Sequence, residues 1–228
     1  MTLAIFDLDG TLANSIYDLA DAVNKALADG GFPTHDYDEY RHLVGNGAKK
    51  LIERALPGGS PPELRDKIHA AFSENYRACC LDKTKLYDGI PELIGRLRGE
   101  GVLCAVASNK PDEFSRYIVE SLFGKDVFSV IRGKREGTPV KPAPDIVYSI
   151  AAELGCDLKN AVYIGDSDVD VQTAHNAGLE CIGCAWGFRG EEELSRAGAD
   201  YIARKPQEIA DIIGIGMENF ALNRKERL

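Results

Sequence analysis

The sequence predicts an α/β protein in which helices cover both faces of a doubly wound, mainly parallel sheet and a helical domain is inserted after the first strand. Residues 3–6 form a short apolar strand, and the next comparable strand, 102–107, begins roughly 95 residues later. A strand-helix-strand unit takes only about 30 residues. From Tyr87 onward strand and helix patterns alternate, which is typical of a Rossmann-like parallel sheet.

The inserted segment is predicted to be helical. Apolar residues recur at helical spacing over 16–27, and the Gly-Gly pair that follows ends this helix. Two further helices fit 48–56 and 62–80, on either side of a turn-rich stretch. We therefore expect an α/β core domain and a helical domain, with the boundaries 1–14 plus 85–228 and 15–84.

The rest of the chain supplies the other elements of the sheet domain. Short apolar stretches predict strands at 129–131, 161–164 and 180–184. Helices are expected before, between and after them, at 112–122, 144–154, 170–177 and 191–197. The charged tail 223–227 is expected to be a solvated helix end.

The composition excludes several classes of protein. Of the 228 residues 44% are hydrophobic, which is enough to bury a core and argues against disorder. The formal charge of −9 and the pI near 5.0 disfavour a nucleic-acid partner, which requires a basic face. No apolar stretch approaches the roughly 20 residues of a membrane helix, and the first strand starts too early for a signal peptide. We expect a cytoplasmic protein that binds no membrane.

The cysteines and histidines predict neither a metal site nor a redox centre. Six cysteines spread along the chain without a secretory signal favour reduced thiols. Cys181 and Cys184 form a CxxC, but strand alternation sends positions i and i+3 to opposite faces, so buried small side chains are the favoured interpretation. The four histidines, at positions 35, 42, 69 and 175, show no metal-binding spacing.

Polar residues stand where the predicted strands end. Asp7 and Asp9 follow the first strand, Ser108 and Asn109 follow the second, and Asp166 follows a third. Ligands of open parallel sheets bind beyond the carboxyl ends of the strands. These residues are therefore the candidates for a shared site.

The spacing of Asp7 and Asp9 places both carboxylates on one side of an extended segment, with Leu8 pointing into the core. A single aspartate of this kind is usually a helix N-cap or part of an Asx turn. Asp7, Asp9 and Asp166, gathered at one sheet edge, would bring three negative charges together, which repel one another unless a cation lies among them. Oxygen ligands without a matching His or Cys cluster favour Mg²⁺ as that cation.

Lys141 is the candidate for a fixed positive charge. Pro142 biases Lys141 toward an extended conformation, and Pro144 suits the first turn of the following helix. A surface lysine in front of a helix is the alternative interpretation. A carboxylate nucleophile, Mg²⁺, a lysine and hydroxyl or backbone donors together suit phosphoryl transfer.

These motifs resemble those of the haloacid dehalogenase-like (HAD) hydrolase superfamily. DLDGT at 7–11, Ser108-Asn109, Lys141-Pro142 and GDSDVD at 165–170 match its four motifs in order over nearly the whole chain. The helical insertion resembles the cap of the C1-capped subclass. LVGNGA at 43–48 and SNKP at 108–111 are most similar to the phosphoglycolate phosphatase group. The resemblance implies a Mg²⁺-dependent phosphatase with a Rossmann-like core.

The resemblance also implies a role for each matching residue. Asp7 would be the nucleophile that forms an aspartyl-phosphate, and Asp9 would be the general acid and then the general base. Asp7, the backbone carbonyl of Asp9, and Asp166 would bind Mg²⁺. Asp170 would contact the metal's water ligands or Lys141 without binding the metal itself, and Asp168 would only begin a helix. The residues expected to hold phosphoryl oxygens are Thr11, Ser108, Asn109 and Lys141.

Substrate selection is implied to lie in the cap. Gly45-Asn46-Gly47 would bring backbone amides to a small carboxylate, although a plain turn is an equal alternative. Lys49 and Lys50 are candidate cations. The expected partner is a small phosphorylated metabolite, with 2-phosphoglycolate preferred, and the expected oligomeric state is a monomer or a homodimer.

Other functions stay open at this point. A phosphomutase similar to β-phosphoglucomutase is second, but those relatives carry a cap histidine soon after the first motif, and none occurs between Thr11 and Pro33. A pyrophosphatase or 5′-nucleotidase would use the same core chemistry. A non-catalytic phospho-ligand binder is disfavoured because the candidate nucleophile, acid, lysine and metal ligand are all present.

Overall fold

The computed structural model describes residues 2–214, which form a parallel sheet covered by helices, and a group of helices inserted after the first strand. The predicted tail at 223–227 lies outside the described residues. Each sheet strand pairs in parallel with its neighbours. In spatial order the strands are β5 (Val130–Lys134), β4 (Leu103–Pro111), β1 (Leu3–Phe6), β6 (Ala161–Gly165), β7 (Glu180–Cys184) and β8 (Tyr201–Ala203). The α/β fold class is confirmed.

The inserted segment folds as four helices between β1 and the rest of the sheet domain. They are α1 (Ile16–Asp29), α2 (Tyr37–Leu43), α3 (Ala48–Ala55) and α4 (Pro62–Cys79). The outgoing and returning chains pair as a two-residue antiparallel ladder of β2 (Ala13–Asn14) with β3 (Lys85–Leu86). Asp18 on α1 accepts hydrogen bonds from the backbone N–H groups of Lys83 and Thr84. The insertion is therefore anchored where the chain leaves and re-enters the sheet domain.

Alternating side chains of β1 pack against the two layers of helices. Ala4 and Phe6 belong to the core shared with the inserted helices, α5 (Ile90–Gly99) and α6 (Asp112–Phe123). Leu3 and Ile5 belong to the core under α7 (Asp145–Leu154), α8 (Asp168–Asn176) and α9 (Gly190–Ala197). All four side chains are fully buried, and a buried side chain of the size of Ile or Phe contributes roughly 1.5–3 kcal/mol. This double burial explains why β1 is apolar throughout.

The two cysteines of the CxxC sequence lie on opposite faces of β7. Cys181 packs in the core under α7, α8 and α9, whereas Cys184 packs in the other core. Burial raises the pKa of both thiols well above the usual range. The prediction that strand alternation sends the two side chains to opposite faces is confirmed.

Several predicted boundaries were wrong, and several elements were missed, including the short strands β2 and β3. β4 continues to Pro111 instead of ending at position 107, because after a register shift it pairs again with β5, which itself extends to Lys134. Helix α2 was not predicted, because Tyr40 is its one buried residue and a single residue gives no apolar periodicity. Also missed were α5 and β8.

No helix among residues 2–214 combines the length and apolar character needed to cross a membrane.

Candidate active site

The carboxyl ends of three neighbouring strands bring the candidate site residues together. β1 lies between β4 and β6, and Asp7 directly follows β1, where its N–H donates to Ile164 at 2.8 Å. Ser108 lies within β4 and Asp166 directly follows β6. Asp7, Ser108 and Asp166 line one cleft. The sheet order therefore produces the grouping that the strand-end pattern predicts.

Lys141 lies at the centre of this group and is fully buried. Its ammonium donates to Asp7 Oδ1 at 2.8 Å, to Asp170 Oδ1 at 2.7 Å and to Tyr163 Oη at 3.0 Å. The three N–H bonds of the ammonium are thus all used. The alternative of a surface lysine is excluded, because the Lys141 side chain is 2% exposed.

The backbone of Lys141 is fixed by the side chain of Asn109. Lys141 N–H donates to Asn109 Oδ1 at 2.8 Å, and Asn109 Nδ2 donates to Lys141 O at 3.1 Å. The same Nδ2 donates to Gly45 O in the helical insertion at 3.2 Å. The Asn109 side chain therefore positions Lys141 and one cap loop. A phosphate contact through the Asn109 backbone amide stays a prediction.

The carboxylates around Lys141 carry more negative charge than this one ammonium offsets. Burial raises the pKa of Asp7 to about 7, and Asp170 and Asp9 add to the increase while Lys141 opposes it. Burial together with Asp170 and Asp7 also raises the pKa of Asp166 well above the usual range. Both shifts have the same two causes: burial in a low-dielectric environment and the negative charge of neighbouring carboxylates each disfavour the ionised form.

This group fits a hard divalent cation. Asp7, Asp166 and Asp170 each offer one oxygen, and these three atoms lie within 4.8 Å of one another. Asp170 is already engaged by Lys141 on Oδ1 and by Ser167 Oγ at 2.6 Å on Oδ2. Asp7 and Asp166 are therefore the side chains that would hold Mg²⁺, whose preferred ligands are such oxygens. Asp170 supports Lys141 instead.

Two glycines allow Asp166 to reach this position. Gly10 has φ +90°, and a Cβ added there would overlap the Asp166 carboxylate. A Cβ on Gly187 would overlap the Asp166 side chain from the other side. Phe188 N–H donates to Asp166 Oδ2 at 2.7 Å, which fixes the carboxylate. The backbone thus surrounds Asp166 closely.

Asp9 lies apart from the three clustered carboxylates. Its Oδ1 accepts hydrogen bonds from Lys110 Nζ at 2.8 Å and from Ser15 Oγ. Asp9 lines the same cleft as Asp7, so the expectation that the two face one reacting group agrees with their positions. Metal binding by the Asp9 carbonyl stays a prediction.

Two hydroxyl groups, those of Thr11 and Ser108, were predicted to contact a phosphoryl group. Thr11 Oγ1 is buried and has no hydrogen-bond partner among the described residues, which is costly unless a ligand supplies one. Thr11 is held in place because its carbonyl accepts from Trp186 Nε1 at 3.1 Å. Ser108 Oγ accepts from Lys110 N–H at 3.2 Å and lines the cleft. Thr11 itself is not among the residues that line the cleft, and both phosphate contacts stay predictions.

Of the candidate substrate residues in the helical insertion, some line the cleft and others do not. Gly45 and Gly47 line the cleft. Asn46 and Lys50 do not: Asn46 Oδ1 accepts from Arg54 at 2.7 Å, and Lys50 pairs with Glu53 at 3.0 Å. The expectation that Asn46 and Lys50 contact substrate is thus not supported, because local partners hold both side chains away from the cleft.

Sequence analysis missed several polar residues that line the cleft, among them Lys110, Tyr76 and Arg189. Lys110 and Tyr76 Oη lie 2.8 Å apart in its wall. Arg189 donates to Val44 O at 3.1 Å and so ties the sheet domain to the insertion. Strand alternation would have placed Lys110 on the same side as Ser108 had the strand been extended past position 107. No local pattern points to Tyr76 or Arg189.

Comparisons with known proteins find relatives that span most of the chain. The family model for haloacid dehalogenase-like hydrolases matches residues 4–184. A phosphoglycolate phosphatase of Colwellia psychrerythraea is 34% identical over 203 residues, which cover 86% of this chain and 90% of that relative. One of Pseudomonas putida is 35% identical over 191 residues, covering 82% and 70%.

Solved structures are also similar. A predicted phosphoglycolate phosphatase from Haemophilus somnus superposes with a TM-score of 0.86 at 28% identity, covering 93% of this chain and 97% of that one. CbbY from Rhodobacter sphaeroides, in complex with xylulose-(1,5)bisphosphate, gives a TM-score of 0.76 at 29% identity, covering 90% and 95%.

Proposed function

The chain belongs to the haloacid dehalogenase-like hydrolase family and is a phosphatase, and we propose that it hydrolyses 2-phosphoglycolate to glycolate and phosphate through an aspartyl-phosphate on Asp7. The observation that carries this proposal is the buried contact of Asp7 with Lys141, beside a second carboxylate, Asp9, in one cleft. The names of the curated relatives support the choice of substrate.

In the first step a carboxylate oxygen of Asp7 attacks phosphorus, and the bond from phosphorus to the leaving oxygen breaks. Lys141 favours this step because its positive charge lowers the pKa of Asp7 and so favours the ionised nucleophile. The Thr11 hydroxyl and Ser108 Oγ would contact phosphoryl oxygens as charge develops on them. These groups are fixed before substrate arrives, which reduces the cost of organising the transition state.

Asp9 would transfer the protons. It gives a proton to the leaving alkoxide in the first step and takes one from water in the second, when water oxygen attacks phosphorus and the bond to Asp7 breaks. Its Oδ1 is occupied by Lys110 and Ser15. We therefore assign proton transfer to Oδ2, for which the described residues provide no hydrogen bond.

Asp7 and Asp166 would hold Mg²⁺ in this reaction. When bound, the cation supplies positive charge that offsets the carboxylates and the phosphate. Asp170 fixes Lys141 through a 2.7 Å contact and thereby keeps the lysine beside Asp7. The local charge balance, and not the overall charge of −9, decides that an anion enters.

The cleft suits a small leaving group. Besides the polar residues its wall is apolar, with Leu19, Leu51, Phe72 and Phe114 among the lining side chains. Gly45 and Gly47 lie at the edge of the cleft, where Asn109 contacts Gly45. We propose a small phosphorylated metabolite as the partner of a cytoplasmic monomer or homodimer that binds neither nucleic acid nor membranes.

A larger sugar phosphate is the second candidate substrate. The similarity to CbbY, solved with xylulose-(1,5)bisphosphate, is the observation that favours it. A sugar bisphosphate needs a second cationic site for its distal phosphate. Of the cations that line the described cleft, Lys141 is saturated and Arg189 bonds to Val44 and His42. The third, Lys110, is held against Asp9, the candidate acid for the leaving oxygen, so the shorter substrate is preferred.

A substrate panel tests the proposal. Steady-state kinetics with 2-phosphoglycolate, xylulose 1,5-bisphosphate, glucose 6-phosphate and AMP, each with Mg²⁺, would give the highest kcat/KM for 2-phosphoglycolate. D7N would abolish turnover of every substrate. A higher kcat/KM for a sugar phosphate or nucleotide would overturn the substrate, and undiminished turnover by D7N would overturn the nucleophile.

A further inference from the structure

Lys110 is a buried cation in the wall of the cleft that the reaction scheme leaves without a role of its own. Its side chain is 4% exposed and donates to Asp9 Oδ1 and to Tyr76 Oη, each at 2.8 Å. The ammonium also lies 4.8 Å from the centroid of the Tyr76 ring, a distance at which a cation is attracted to the ring face. Asp9 belongs to the sheet domain and Tyr76 to α4, so Lys110 is held by both walls of the cleft.

The two lysines of the cleft differ in their unused hydrogen-bonding capacity. Each ammonium carries three N–H donors. Lys141 uses all three on Asp7, Asp170 and Tyr163. Lys110 uses two, and within residues 2–214 its ammonium has no third acceptor. Lys110 is therefore the lysine that can accept a further anionic partner.

The position of Lys110 is set by Asp9. A leaving oxygen that takes a proton from Asp9 Oδ2 lies beside the carboxylate whose other oxygen contacts Lys110. A substituent on the carbon bonded to that leaving oxygen is then within reach of the Lys110 ammonium. Phe72 and Phe114 line the surrounding wall and offer no competing charge. An anionic substituent at this carbon would be strongly bound, because charge-assisted hydrogen bonds are stronger in a desolvated site.

We propose that Lys110 binds the carboxylate of the substrate and thereby selects phosphate monoesters of 2-hydroxy acids, an inference that rests on the proposed function. Tyr76 positions the ammonium through its hydroxyl group and ring. Lys141 then acts at the phosphoryl group and Lys110 binds the carboxylate, while Asp9 lies between the two lysines. A role limited to orienting Asp9 is the competing account, and the two accounts differ in how they depend on the substrate.

The test compares 2-phosphoglycolate with 2-hydroxyethyl phosphate, in which a hydroxymethyl group replaces the carboxylate. For K110M we expect the ratio of the two kcat/KM values to fall at least about tenfold, mainly through a higher KM for 2-phosphoglycolate. K67M, which removes an exposed lysine of α4, serves as the matched control and would leave the ratio unchanged. An equal loss on both substrates in K110M would show an effect through Asp9 alone and would overturn the proposal.

A binding measurement removes turnover from the comparison. Calorimetry with 3-phosphonopropionate, in which a methylene group replaces the ester oxygen, would show a Kd at least about tenfold higher for K110M than for the wild type. Propylphosphonate, which lacks the carboxylate, would bind both proteins alike. Equal Kd values for 3-phosphonopropionate would contradict the proposal.

Y76F keeps the proposal testable if K110M does not fold. Removing the Tyr76 hydroxyl leaves the ring beside Lys110, and we expect the substrate ratio to fall about two- to fivefold. An unchanged ratio in Y76F would contradict the positioning of Lys110 by Tyr76. A wild-type protein without preference for 2-phosphoglycolate over 2-hydroxyethyl phosphate would overturn the proposed substrate itself. A wild-type preference that survives in K110M would overturn the role of Lys110 alone.

Discussion

The Nζ atom of Lys141 lies 2.8 Å from Oδ1 of Asp7, although 134 residues separate the two in the chain. The contact depends on the sheet, which places β1 beside β6, and on Asn109, which holds both backbone polar groups of Lys141. Asp170 holds the ammonium from the opposite side at 2.7 Å. The lysine thus has one orientation, directed at the candidate nucleophile.

Replacing Lys141 removes the one buried ammonium that touches Asp7. We expect K141M to lower kcat by about 10²–10³-fold, because a preorganised charge next to the reacting oxygen is lost. K141R keeps the charge but cannot reproduce three short contacts from one nitrogen, so it would recover only part of the rate. Steady-state kinetics at saturating substrate measures the effect. A kcat in K141M within about threefold of the wild type would contradict the assignment.

The role of Asp9 as an acid can be separated from its role as a base. In D9N, p-nitrophenyl phosphate has a leaving group that needs no proton, so phosphorylation of Asp7 would continue while hydrolysis of the intermediate slows. Stopped-flow absorbance would show a burst of nitrophenolate equal to the enzyme concentration, followed by slow turnover. 2-Phosphoglycolate has a basic alkoxide leaving group, so rapid quenching would show no burst of glycolate. A burst with both substrates would exclude Asp9 as the acid.

The raised pKa of Asp7 predicts a stability that depends on pH. Burial raises this pKa from its usual 3.8 to about 7, so the folded protein retains the proton more strongly than the unfolded chain. The ionised group therefore lowers the free energy of unfolding as pH rises from about 4 to about 7. D7N removes this loss, and in EDTA its stability relative to the wild type would increase over that range by roughly 1–3 kcal/mol and then level off.

Urea unfolding at about pH 5 and about pH 7.5 measures this difference. E74Q, which neutralises an exposed acid on α4, is the control, and its stability relative to the wild type would depend little on pH. Adding Mg²⁺ at about pH 7.5 would stabilise the wild type more than D7N, because Asp7 is an expected ligand. A wild-type stability that rises relative to D7N between the two pH values in EDTA would contradict the argument.

Alanine substitutions at Gly10 and Gly31 distinguish the effect of backbone strain on stability from the effect of displacing Asp166 on kcat. Both have positive φ, +90° and +78°, but only at Gly10 would a Cβ meet the Asp166 carboxylate. G31A would cost about 1–2 kcal/mol and leave kcat near the wild-type value. G10A would displace Asp166 and lower kcat at least about 100-fold, with a weaker thermal shift on adding Mg²⁺. Equal kcat values in the two variants would show that the position of Asp166 does not matter.

Much of the fold follows from sequence patterns because the sheet strands are doubly buried. β1, β6 and β7 are apolar stretches with clear turn signals, and their boundaries differ from the predicted ones by at most one residue. The polar end of β4 could not be predicted, since Ser108, Asn109 and Lys110 continue a strand only after a register shift. Such a shift depends on the partner strand and leaves no local pattern.

The core of the site was predictable and its cap side was not. Asp7, Asp166 and Lys141 are specified by their positions after strands or in a proline-fixed loop, which the topology then brings together. The cap contacts depend on how helices pack across the cleft. Lys50 and Asn46 bond to neighbouring side chains within the insertion. Tyr76 bonds to Lys110, but the apolar periodicity of its helix predicts only that Tyr76 is buried.

Chemical trapping at Asp7 tests the central claim most directly. D9N would be mixed with p-nitrophenyl phosphate and Mg²⁺, quenched after the burst and treated with borohydride, which reduces an acyl phosphate to the alcohol. Mass spectrometry of the digested protein would then find homoserine at position 7, in an amount that matches the burst. An unmodified Asp7 in protein that has released a full equivalent of nitrophenolate would contradict the aspartyl-phosphate mechanism.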